Sequence, residues 1–322
     1  MEAKAKRTNN FKSVFSTYGI FFVFVVMVIL LAILTGGRFV ALKNISIVLR
    51  QIAINGIIAV GMCFVIITGG IDLSVGAVLA FAGAVTADLS HPEQNLPLIV
   101  PIVVALAIGA VFGFANGAII SWMGAPPFVV TMGMMNIARG ATYLYTNGAP
   151  IKNLTDDLIQ MGQGTWLGIP IPPYLLAIFM ILGIILLQRS RFGRSLYALG
   201  GNGDAALASG VNVNLTRILA YVICGVCSAF CGLVLSGRTG AAAALAGEGY
   251  ELNAIAAVVV GGTSLSGGKG TIVGVLIGAL IIGALSNGLD ILGVSSYIQT
   301  VVKGVIIIAA VCFDSRAAMK KK

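Results

Sequence analysis

Asp72, Arg139 and Lys303 are ionisable residues in or at the edge of long apolar runs. A charge at the centre of a membrane helix costs about 2.5–3.5 kcal/mol on insertion scales, so each is a functional candidate by default. Asp72 follows a glycine pair and opens an apolar run, where it either caps a helix or couples an ion. Arg139 lies one turn after Asn136, and Lys303 one turn after Gln299. These pairs predict polar stripes facing a bundle interior, with structural ion pairing preferred to solute contact for both cations. Asn55, Asn116 and Asn287 are uncharged and bury at lower cost. They would hydrogen-bond a polyhydroxylated solute or tie helices together.

Other constellations lead away from catalysis. Cys224, Cys227 and Cys231 share one helix face, and Gly225, Ser228 and Gly232 repeat their spacing one residue on. Small residues that let two helices approach closely explain this pattern better than a metal or redox site. The run Gly-Thr-Ser-Leu-Ser-Gly-Gly-Lys-Gly-Thr at 262–271 approaches a phosphate-binding loop but fails it. Position 263 is threonine where glycine is needed, and Gly270 follows Lys269 where Ser or Thr is needed. The single histidine, His91, has no metal-ligating company, and no nucleophile stands beside a base. The expectation is no catalytic residue, no metal and no cofactor on this chain.

The elements that position these residues follow from composition. Of 322 residues, 58% are hydrophobic and only 10% charged, against ~25% charged in an average soluble domain. Such a chain has too few charges for a water-facing surface, and its 42 glycines fit membrane helices. It reads as an integral membrane protein, all-α, embedded in a lipid bilayer. The net charge of +9 is then topological and does not imply nucleic acid. The apolar runs predict spans at 18–35, 47–68, 73–89, 96–123, 128–145, 173–188, 216–236, 252–260, 271–289 and 296–313. Ten crossings is the favoured count, with eight or nine as alternatives. The run 252–260 is too short alone and must be half of a broken span.

With ten spans and an inside N-terminus, thirteen Lys and Arg fall on the cytoplasmic side and four outside. That bias places both termini in the cytoplasm. The chain then divides into a basic N-terminal segment (1–17), a membrane domain (18–315) and a basic tail (316–322). An outer loop, 146–172, is rich in Gly, Pro, Asn and Asp and predicts a partly ordered cap. An inner loop, 189–215, breaks at Gly200, Gly201, Asn202 and Gly203. Asp204 would then cap a short helix through Ala205, Ala206 and Ser209, ended by Gly210. This helix is either a connector or a piece docked into a partner's groove.

Gly-Gly-Ile-Asp-Leu-Ser-Val-Gly at 69–76 and Gly-Gly-Thr-Ser-Leu-Ser-Gly-Gly at 261–268 agree at five of eight positions. Paired glycine breaks between apolar runs point to a transporter of two related halves with broken helices. Gly109, Gly113 and Gly117 form a stripe for close helix packing.

Several separated motifs carry a family resemblance. They are the run 69–76, Pro-Phe-Val-Val-Thr at 127–131 with Arg139-Gly140, Tyr-Thr-Asn-Gly at 145–148 and the loop 191–202. Ser-Gly-Val-Asn at 209–212 and the stretch 249–270 complete the set. Together they resemble the permeases of ABC sugar importers of the ribose, xylose and galactose type. The segment 287–297 is nearest the ribose branch, whereas Gly203-Asp204 departs from the Glu-Ala common there. The resemblance implies a homodimer in a bacterial inner membrane, a cytoplasmic ATPase subunit carrying ATP-Mg, and an extracytoplasmic sugar-binding protein. It implies that 200–210, namely Gly200, Gly201, Asn202, Asp204, Ala205, Ala206, Ser209 and Gly210, is a coupling helix. Candidate path residues are Asn55, Asp72, Ser74, Phe128, Thr131, Asn136, Asn287 and Lys303. The expected function is ATP-driven import of a monosaccharide, ribose foremost, by alternating access. The alternative is an ion-coupled or facilitative transporter using Asp72, Arg139 and Lys303.

Overall fold

A computed structural model describes residues 19–319, with side chains to Ala309 and for Val311 and Cys312. The basic segment 1–17 and the last three lysines lie outside the described residues. Every predicted apolar run forms a helix. In chain order these are α1 (Gly19–Leu34) and α2 (Leu42–Ile67), α3 (Val75–Leu89) and α4 (Ile99–Met123), and α5 (Pro127–Thr146). After a short α6 (Asp156–Gln163) and a two-residue hairpin comes α7 (Ile171–Ile184), which runs on as a π turn, Ile185–Arg189. The chain continues through α8 (Arg191–Gly201), α9 (Gly203–Ala208) and α10 (Val213–Thr239). It closes with α11 (Tyr250–Val260), α12 (Ile272–Ile291) and α13 (Ser296–Met319).

Five of these helices are long and apolar enough to cross a membrane: α2, α4, α7 with its π turn, α10 and α12. Helices α2 and α10 are mostly buried, while α4 and α7 face outwards. Small residues explain how α10 becomes the hub. A Cβ on Gly225 would strike the Gly109 carbonyl of α4, and one on Gly232 the Leu79 carbonyl of α3. A Cβ on Gly61 of α2 would come within 2.9 Å of both Cys224 Cα and Cys227 Cβ. The cysteine and glycine faces of α10 are thus packing faces. The stripe of α4 lies on α10 as its spacing predicts, with Gly117 over Ile218.

Helices α6, α8 and α9 lie off the bundle, and they mark its two ends. At the α6 end the Thr165–Trp166 and Ile169–Pro170 hairpin supplies the ordered part of the predicted cap. At the α8 end the predicted short helix is α9, and a second helix, α8, stands ahead of it where none was expected. Helix α8 runs through Gly200 and Gly201, so the chain breaks at Asn202 alone. Asn202 also replaces Asp204 as the cap: its Oδ1 accepts from the Ala205 N–H at 3.0 Å. Asp204 lies inside the first turn, too late to cap it. Gly210 ends the unit at φ +81°, as expected.

Candidate functional site

Two short helices expose where the fold departs from a plain bundle. The 15 residues of α3 rise about 22 Å and the 11 of α11 about 16 Å, against a hydrocarbon core of ~30 Å. Non-helical backbone precedes each, and its polar groups need partners inside the protein.

The first non-helical stretch, 68–74, precedes α3. Asp72 is 1% exposed, and its Oδ1 accepts from the Ser74 N–H (2.9 Å) and the Ser74 hydroxyl (2.6 Å). This local turn, not a bond to the first turn of α3, is what Asp72 makes. Asn116 of α4 donates to Ser74 Oγ at 3.0 Å. Thr131 Oγ1 of α5 lies 3.0 Å from Pro127 O and 3.3 Å from Ile71 O, and the Tyr221 hydroxyl of α10 donates to Ile71 O at 3.4 Å. Three helices therefore supply side chains to one bare strand. Asn116 Oδ1 is buried without a partner among the described residues.

The second stretch, between Gly240 and Gly249 (φ +71° and +78°), precedes α11. Ala242 exchanges both backbone bonds with Ile151, at 2.8 and 2.9 Å. Arg139 of α5 donates to the carbonyls of Ala244 and Ala246, the latter at 2.9 Å. The expected ion pairing of Arg139 is replaced by this carbonyl contact. Lys303 too forms no ion pair among the described residues; it is half-buried on α13, with Asp290 as its charged neighbour. A Cβ on Gly76 would fall on the Gly247 carbonyl, so the starts of α3 and α11 touch. Each start carries one carboxylate, Asp72 and Glu251, where a helix N-terminus favours negative charge.

The matched glycine motifs meet elsewhere, at the α8 end. Gly268 N donates to Ile67 O at 2.9 Å. Gly200 of α8 seats on both: a Cβ there would collide with Ile67 O and Gly268 N, and one on Gly268 (φ +72°) would lie 2.9 Å from Gly201 Cα. Tyr197 fastens this seam by donating to Gly270 O at 2.6 Å. Burial raises the Tyr197 phenol above its ordinary pKa, so it stays a donor.

The candidate path residues divide into three groups. Asp72, Ser74 and Thr131 come together at the first stretch. Phe128 (53% exposed) and Asn136 lie on an open face of α5, where Gly133 and Gly140 meet nothing within 4 Å. Asn287 is buried and exchanges amide bonds with Asn44 of α2 at 2.9 and 3.1 Å, while Asn55 is buried within α2. Tyr221 and Glu251 were missed from sequence, because an isolated Tyr or Glu near apolar residues gives no spacing signal.

Two hollows lie at the α8 end. One of about 230 Å³ runs from Gly69 and Gly70 past the α4–α5 turn and stops at Arg217 and Tyr221. The other, about 500 Å³, flanks α9 between Asp204, Leu207, Val211 and Arg217. Of the predicted coupling residues, Asn202, Asp204, Ala205, Ser209 and Gly210 are exposed here, and Ala206 is buried.

No solved structure matches the chain. Curated relatives do, over nearly full length. The chain is 46% identical to the ribose import permease protein RbsC of Bacillus subtilis (strain 168), over 98% of both chains. It is 44% identical to the ribose import permease protein RbsC of Escherichia coli (strain K12), over 91% of this chain and 92% of that one. The D-allose transport system permease protein AlsC of the same strain is 39% identical, over 97% and 96%. Residues 44–311 match a family model described as the permease component of the branched-chain amino acid transport system. A multi-pass bundle with two broken crossings, matched by that model over most of its length, belongs to this permease family.

Proposed function

We propose that this chain is the membrane-spanning subunit of an ATP-driven importer of ribose, working as a pair of copies. The family description names amino acids, but the relatives reported above are permeases for ribose and D-allose. The chemistry of the site favours the sugar: the Asn136 amide lies on the open face of α5, while Asp72 is buried on Ser74 and Arg139 is taken up by backbone carbonyls.

The carrying observation is the seam at the α8 end, where Gly200 touches the backbone of Ile67, which ends α2 just ahead of the first glycine motif, and of Gly268 in the second. A separate cytoplasmic ATPase gripping α8 and α9 would move both broken crossings at once, which is what alternating access requires. The exposed hollow beside α9 gives that partner a place to bind. The positive-inside bias puts this end in the cytoplasm and both termini with it. The open faces of α5 from two copies would frame the path, lined by Phe128 and Asn136 and backed by Thr131, Asp72 and Ser74. A binding protein outside would supply affinity, since a tight site in the path would trap the sugar.

Proteoliposomes holding the chain, its ATPase and its binding protein should accumulate ribose only with ATP. Equal accumulation by the chain alone, driven by an ion gradient, would refute the reading. Leu207→Glu, on the exposed side of α9 (64% exposed), should release the ATPase without unfolding the chain.

A further inference from the structure

One cleft has no part in this mechanism. It lies between α2, α7 and α10, has a volume of about 190 Å³, and is lined by Val60, Phe64, Leu182, Leu186, Val222 and Val226 among others, all apolar. Its cause is visible in α7. Gly183 packs closely on Val60 at its wall, and through the π turn Leu187 faces fully inwards (1% exposed) while Leu186 and Arg189 stay outside. Leu182 on the rim is 52% exposed, so the cleft opens on the side of the bundle that a bilayer covers.

The cleft has a charged foot. Phe64 in its wall stacks on Phe192 of α8, with ring centroids 6.1 Å apart. Arg191 directly precedes Phe192, and Arg189 stands one turn below Leu186. Both arginines are exposed, and neither forms an ion pair among the described residues. At roughly 30 Å³ for a water-sized group the volume holds about six such groups, a short length of one hydrocarbon chain. An apolar slot with two exposed arginines three residues beyond its Leu186 wall and next to the Phe192 that stacks on its Phe64 wall suits a lipid whose headgroup is anionic, because arginine engages phosphate bidentately.

We propose that this cleft is a binding site for an anionic phospholipid. One acyl chain lies between α7 and α10, and the phosphate rests on Arg189 and Arg191. A lipid held there touches α7 and α8 together and bridges the bundle to the element that seats on the glycine seam.

The test is native mass spectrometry of the full chain titrated with dioleoylphosphatidylglycerol and, separately, dioleoylphosphatidylcholine. The expected result is retained phosphatidylglycerol in clear excess over phosphatidylcholine. Arg189→Gln and Arg191→Gln should each lower that retention about five-fold. Leu182→Trp, which fills the cleft from an exposed position, should abolish it, and Val226→Phe should do the same from the α10 side. Equal retention of the two lipids would overturn the proposal, as would retention of phosphatidylglycerol unchanged by the arginine variants. Its persistence in both cleft-filling variants would also overturn it.

Discussion

The two broken crossings solve one problem with different materials. Ahead of α3 the bare backbone is held by side chains: Thr131 and Tyr221 meet Ile71 O, and Asp72, Ser74 and Asn116 form a buried chain. Ahead of α11 the Ile151–Ala242 pair and the Gly76–Gly247 contact share the support with nearby side chains, Thr239 on Ala241 O and Glu251 on the Gly249 N–H, and among the described residues Arg139 reaches in from a neighbouring helix. The first stretch is therefore locked by several independent groups.

The largest test removes the contact common to both. Gly76→Val would drive a side chain into the Gly247 carbonyl and Glu251, costing about 3 kcal/mol or more. The expected result is a chain that fails to accumulate, or a steep fall in Tm in detergent. Next comes the Arg139 hook of the second stretch. Arg139→Met would strip the Ala244 and Ala246 carbonyls of a charged donor at a cost of about 2 kcal/mol. Hydrogen exchange should then rise across 240–249 and stay unchanged across 68–74; a rise in both would mean the two stretches are not independent.

Smaller effects sharpen the view of the first stretch. Asp72→Ala leaves the Ser74 N–H and hydroxyl without their acceptor, for a loss of about 1–2 kcal/mol. Asp72→Asn keeps an acceptor oxygen in place and should stay within about 1 kcal/mol of the parent in chemical denaturation. If the two variants fall equally, the charge matters and the local turn does not. Smallest of all is Tyr221→Phe, which gives up one long bond that Thr131 duplicates. Its Tm should change by no more than a degree or two, equivalent to about 0.5 kcal/mol.

Much of this fold was legible because bilayer-facing segments leave a plain signal. All ten apolar runs became helices, and the short run 252–260 was recognisable as part of a broken crossing. The glycine motifs were legible as breaks, yet their meeting at the α8 end was not, since nothing local encodes which backbones will touch. Helix α8 was hidden by Gly193, Gly200 and Gly201, which lower helical propensity but here permit contact with Leu187 O, Ile67 O and Gly268. The stretch 240–249 was opaque for the opposite reason: its alanines suit a helix, and only glycines at 240, 247 and 249 betray left-handed turns. Asn287 illustrates the limit, because its amide partner is 243 residues away in sequence.

The seam of Gly200, Ile67 and Gly268 has a mechanical corollary. Where side chains mesh, rotamer changes absorb small displacements, and a push at one end fades before it arrives. Here main chain rests on main chain with no such cushion between. A shift of α8 would press directly on Ile67, where α2 ends ahead of the first glycine motif, and on Gly268 of the second, as one hinge pin bears on two leaves.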